Sequence, residues 1–107
     1  MKIHGPNEQQ ETVDFQVDTG FSGSILLPLE VVRHLNLPEM EGVTMRLADG
    51  SRVEVPRYIA QVLWDGTEKT VALPASGRQP SLGTGLLDGH HLNAAIKLGG
   101  RVTIEPL

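Results

Sequence analysis

Polar and apolar residues alternate over residues 12 to 18, with Val13, Phe15 and Val17 on one side and Asp14, Gln16 and Asp18 on the other. A period of two predicts a strand, and it ends at Asp18. "SILLP" predicts a second extended piece. In "PLEVVRHLNLP", Leu29, Val32 and Leu35 recur at spacings of three, with Pro28 as first helical residue and Pro38 as a stop. That pattern predicts one short helix. "VTMRLADGSRVEV" alternates through Val43, Met45 and Leu47, breaks at Asp49-Gly50 and resumes at Val53 and Val55. Asp-Gly between alternating runs signals a hairpin, because both residues tolerate positive φ. "YIAQVLWDGTEKTVAL" repeats the device at Asp65-Gly66, with Trp64 as a core or edge anchor beside the turn.

A polar loop, "PASGRQP", then leads to "SLGTGLLDGHHL", where two or three helical turns fit, and "AAIKLGGRVTIEPL" predicts a last hairpin around Gly99-Gly100. The sum is about seven to nine short strands with one or two short helices. It predicts an all-β sandwich or partly closed β-barrel. Parallel α/β architecture is disfavoured, since hairpins rather than helical crossovers join the strands.

Composition narrows the function classes. Residues 1–107 form a single domain, with no linker or low-complexity tract. Only four residues are aromatic, so Val, Leu and Ile must build the core of a chain too short to bury much surface. The formal charge of -4, without a basic run, argues against nucleic acid. Without cysteine there is no disulfide framework and no thiolate metal or redox site. No leader-like start and no long apolar run is present, so the expectation is a cytoplasmic protein that does not enter membranes.

Candidate chemistry centres on "VDFQVDTGFSG". Asp, Thr and Gly commonly make plain turns. Here, however, an apolar strand delivers Asp18, Gly20 allows close approach, small residues follow, and the chain returns as another apolar strand. Such a loop presents a carboxylate at a cleft.

"VDTGFSGSILLP" resembles the active-site loop of the retropepsin-like aspartic proteases, particularly their small single-domain bacterial members. In that family an apolar pair and a glycine leading into a short helix follow about sixty residues later, and "SLGTGLLDGHHL" supplies Leu82, Gly83 and Leu86-Leu87. The Asp49-Gly50 hairpin falls where the family carries its flap. The resemblance implies a retropepsin-like fold and an aspartic endopeptidase. Hydrolysis by carboxylates needs a general base on water and a general acid, and this chain has one such loop. A symmetric homodimer supplies the second, with two copies of Asp18 sharing a proton about 3 Å apart across the axis.

By the same resemblance, Thr19 hydrogen-bonds across the axis, Gly20 leaves its carbonyl free for substrate backbone, and Leu82 and Gly83 support Asp18 from beneath. Gly20, Phe21 and Ser22 on the loop, with Ala48, Asp49, Gly50 and Ser51 on the flap, contact a peptide or protein substrate. Residues 1–5 and 101–107 form an intersubunit sheet, and no metal or organic cofactor is required. This chain departs from the pattern at Phe21, where viral members have Ala and two-lobed relatives Ser. It also has Thr84 and Ser22 in place of the viral Arg and its acidic partner, and a flap tip poorer in glycine. The competing reading is a non-catalytic dimeric module that binds peptides or proteins on the same fold.

Other signals carry less. "GTGLLDG" lacks the spacing and setting of a dinucleotide loop. "GFSGS" misplaces the second glycine of a nucleophile elbow, leaving Ser22 as a loop hydroxyl. His90 and His91 are adjacent and point apart, while His4 and His34 are scattered, so metal binding is not expected. Met40 and Met45 are read as packing residues.

Overall fold

The computed structural model describes residues 1–75 and 79–107. Ten strands and two short helices run through them: β1 Lys2–His4, β2 Gln10–Thr12, β3 Gln16–Val17, β4 Ile25–Leu26, α1 Leu29–His34, β5 Glu39–Arg46, β6 Arg52–Trp64, β7 Thr67–Pro74, β8 Ser81–Leu82, α2 Thr84–Leu87, β9 His90–Ala94 and β10 Val102–Pro106. The chain is mostly β, as the alternation predicts. Among the described residues no closed barrel forms. The strands divide into a five-stranded sheet around β6, a three-stranded sheet ordered β3-β8-β4, and the β9–β10 hairpin.

β6 pairs with β7 along one side and with β5 and β1 along the other. Its inward residues Ala60 and Val62 are buried while Ile59 and Leu63 are exposed, the two faces expected of period-two alternation. Pro56 sits within this strand without ending it. The register of β5 shifts between Met40 and Val43, so a bulge lies opposite the residue that has no N–H to give. Arg57 Nε ties that bulge down by donating to the Glu41 carbonyl at 2.8 Å.

The two Asp-Gly dipeptides make different turns. Asp65 and Gly66 both have positive φ, 50° and 73°, in a two-residue turn between paired Trp64 and Thr67. At the other tip only Gly50 has positive φ, 87°, and the turn spans residues 47–51 with Leu47 N donating to the Ser51 carbonyl at 2.8 Å.

Several predicted elements shift. Pro28 caps α1 from outside, in extended conformation, and Asn36 at φ 54° ends the helix. α2 is a single turn, shorter than expected, because Gly89 at φ 80° redirects the chain and His90 already begins β9. The last hairpin accordingly starts earlier, with residues 95–101 as its connection rather than a tight turn at Gly99-Gly100. Part of the polar loop, residues 76–78, lies outside the described residues. Ile3 and His4 of β1, expected in an intersubunit sheet, pair within the chain with β2 on one edge and β6 on the other.

Ile3, Ile25, Leu27, Leu35, Val62 and Leu73 are the largest fully buried side chains, drawing β1, β4, the helix region, β6 and β7 into one aliphatic core. Trp64 packs against that core and meets His90 edge-on, with ring centroids 5.2 Å apart. Among the described residues no helix is long and apolar enough to cross a membrane.

Candidate active site

The three-stranded sheet positions the carboxylate. β8 lies between β3, which runs parallel to it, and β4, which runs antiparallel. The chain therefore leaves one side of β8 at Val17, loops over Leu82 and Gly83, and returns on the other side at Ile25. Backbone bonds pin this loop along its length. Asp18 N donates to the Leu82 carbonyl at 2.8 Å, Gly83 N to Ser24 at 2.9 Å, Thr84 N to Phe21 at 2.8 Å and Gly85 N to Gly23 at 3.1 Å. Leu82 is thus bonded to the Asp18 backbone and Gly83 to the loop's return at Ser24.

Such closeness excludes side chains. A Cβ on Gly83 would overlap the Gly23 carbonyl oxygen and stand 2.6 Å from that of Phe21, while one on Gly85 would stand 2.9 Å from the Ser22 oxygen. Gly83 and Gly85 of "GTGLLDG" answer to this packing, and Gly89 to its positive φ of 80°, with open space around it.

Asp18 is exposed at the mouth of its loop. Its Oδ1 accepts the Gly20 N–H at 3.0 Å, and Oδ2 meets no protein donor among the described residues. The carboxylate is oriented and still accessible. It lines a cleft of about 480 Å³ whose opposite wall comes from the β5–β6 hairpin through Met45, Leu47, Val53 and Val55. A carboxylate thus stands among apolar side chains able to receive an apolar ligand group.

Phe21 lies on the wall of this cleft and of a neighbouring one of about 430 Å³. Its ring folds back over Gly23, where an added Cβ would come within 2.5 Å of the ring tip. The side chain therefore borders both cavities, as do Gly20 and Met45. Gly20 and Ser22 join it on the second cavity's wall.

The residues of the β5–β6 hairpin divide between its tip and the cleft. Ala48, Asp49, Gly50 and Ser51 form the exposed tip and do not line the cleft. Asp49 Oδ1 accepts the Ser51 hydroxyl at 2.5 Å and the Ser51 N–H at 2.9 Å. These bonds, the hydroxyl's first, hold the Asp49 carboxyl below the usual range. The cleft-lining residues Met45, Leu47, Val53 and Val55 were missed as functional, although their shared parity across the hairpin placed them on one face.

Thr19 faces elsewhere. It lines a groove of about 740 Å³ on the far side of β3, with Phe15 and Val17 on one wall and Leu92, Val102 and Ile104 on the other. Consecutive residues Asp18 and Thr19 thus serve two different cavities. Thr84 does not repeat the charge of the viral Arg, but its hydroxyl donates to the Phe21 carbonyl at 3.3 Å. Among the described residues no group of three or more His, Cys, Asp or Glu side chains could hold a metal ion. Comparison with protein-family models, with curated proteins and with solved structures returns no match.

Proposed function

We propose that this chain is an aspartic endopeptidase acting as a symmetric homodimer, with two copies of Asp18 forming the catalytic dyad. One observation carries the reading: an accessible carboxylate, oriented by the Gly20 N–H on a loop pinned to residues 82–85, opens into an apolar cleft beneath a β-hairpin. In the dyad the ionised Asp18 takes a proton from water, whose oxygen attacks the peptide carbonyl carbon. The protonated Asp18 gives its proton to the carbonyl oxygen. Collapse of the tetrahedral diol breaks the C–N bond: one hydroxyl returns its proton to the second Asp18 as the carbonyl reforms, the departing amine takes a proton from the first, and the dyad again holds one proton.

The groove beside Thr19 supports the dimer. Its apolar lining borders the loop that bears Asp18, and Val102 on its wall is 52% exposed, apolar surface that a second copy would cover. The alternative, a dimeric module that binds peptides without cutting them, draws on Asp18 being the one acidic residue that lines the cleft.

Peptide-library cleavage from about pH 3 to about pH 7 tests the proposal, with Asp18→Asn as control. The expected result is cleavage favoured at acid pH and abolished in the variant. Cleavage that survives Asp18→Asn overturns the mechanism, and binding without cleavage in the unmutated chain establishes the alternative.

A further inference from the structure

We infer that the cavity beyond Phe21 is a subsite for an acidic side chain of an extended peptide, with Arg46 and Arg57 as the residues that read it. The inference deepens the reading above and rests on the Asp18 cleft being a peptide site.

The shape of the cavity comes first. Residues 20–23 line one wall and residues 43–46 the other. Arg57 of β6 and Ala72 and Pro74 of β7 complete the lining, so the cavity reaches from the β5 backbone across the neighbouring strands. Among the described residues β5 pairs with β6 alone, at the end of the sheet order β2-β1-β6-β5. An unpaired strand edge accepts an extended peptide by main-chain hydrogen bonding, with alternate side chains falling into pockets. Gly20, Phe21 and Met45 also line the Asp18 cleft, so one extended segment would reach both cavities.

Charge then selects the side chain. Arg46 and Arg57 both line this cavity. Among the described residues neither guanidinium has a carboxylate within 4.0 Å, the ion pairs present being those of His34 with Glu11 and His90 with Asp65. Arg57 is half-buried and anchored through Nε on the Glu41 carbonyl at 2.8 Å. Its orientation is thereby set, while its terminal nitrogens donate to no protein acceptor among the described residues. A fixed guanidinium with free terminal N–H groups matches a carboxylate in a bidentate pair. The chain carries a net charge of -4, so its overall field does not favour acidic peptides. The attraction is local to this cavity.

The test uses peptides that differ only in Glu or Gln, scanned through each position flanking the cleaved bond, against the full chain, Arg46→Gln and Arg57→Gln. A fluorescent version of each peptide is bound in parallel to Asp18→Asn. At one position the Glu peptide is expected to have a kcat/KM about tenfold above its Gln counterpart, expressed mainly in KM. Either Arg variant moves that ratio toward unity, and Arg57→Lys restores part of it. Arg46 is exposed, which keeps the test sound even if Arg57→Gln disturbs the bulge. Cleavage of Glu and Gln peptides at equal rates at every position overturns the subsite and leaves the protease reading standing. Glu-dependent binding without any cleavage keeps the subsite and overturns the protease. A Glu preference unchanged in both Arg→Gln variants overturns the assignment of these residues.

Discussion

Thr84 donates twice to the carbonyl oxygen of Phe21, through its backbone N–H at 2.8 Å and its hydroxyl at 3.3 Å. One carbonyl of the carboxylate-bearing loop is thereby fixed to the first residue of α2, and Gly83 immediately before it lets the two backbones touch. The position of Asp18 depends on this junction as much as on the strand that delivers it.

Gly83→Ala is expected to cost about 1–3 kcal/mol, because its Cβ meets two carbonyl oxygens, backbone atoms that cannot rotate away. Thr84→Val, which keeps the backbone bond and loses the hydroxyl, should cost no more than about 1 kcal/mol. Urea unfolding of both variants checks the order. Equal stability of Gly83→Ala and the unmutated chain would show that the loop can move off β8.

The hairpin tip should respond to acid through Asp49. Its carboxyl is held below the ordinary value of 3.8 by the Ser51 hydroxyl and N–H. A depressed folded pKa means that the contribution to tip order is fully present above the ordinary value and is lost as pH falls through the depressed one. Side-chain NMR titration should find Asp49 ionised at a pH where an ordinary Asp is already protonated, and Ser51→Ala should raise its midpoint. A midpoint indifferent to Ser51→Ala would refute the assignment.

The hairpins and the Asp18 loop were legible because their signals are local. Alternation marks β6 and β7, Asp65-Gly66 marks their turn, and "VDTG" marks the carboxylate. What was not legible depends on partners distant in sequence. The alternating runs that end at Val55 and begin at Tyr58 are separate in the sequence, and they join as one strand through Pro56 because the bulge between Met40 and Val43 lies opposite it. "GLLDGHHL" has an apolar run that suits a helix or a strand, and the pairing of His90 with Pro106 decides where strand begins. Nothing near Ile3 announces that both edges of β1 are taken. The parting of Asp18 and Thr19 into separate cavities likewise depends on β9 and β10, more than seventy residues away.

Phe21→Ala should merge the two cavities that its side chain now borders. The expected outcome is acceptance of bulkier side chains near the cleaved bond, seen as a lower KM for those peptides. The ring is only half-buried, so the stability cost should stay below the roughly 3–5 kcal/mol typical of a buried Phe→Ala change. An unchanged peptide preference would mean that Phe21 does not shape the cleft.

Dimerisation should be separable from folding at Val102. This residue is 52% exposed and lines the groove beside Thr19, and its strand β10 pairs only with β9 among the described residues. Val102→Asp adds a charge to an apolar surface without opening the aliphatic core, so circular dichroism should keep its β signature. Burying that charge between two copies is costly, and sedimentation should shift toward the monomer. If each site takes one Asp18 from each copy, cleavage per chain falls together with dimer content. The unmutated protein must likewise lose specific activity on dilution through its dissociation range. A monomer that cleaves peptides at undiminished rate contradicts the shared site, and a Val102→Asp protein that remains dimeric and active moves the interface away from this groove.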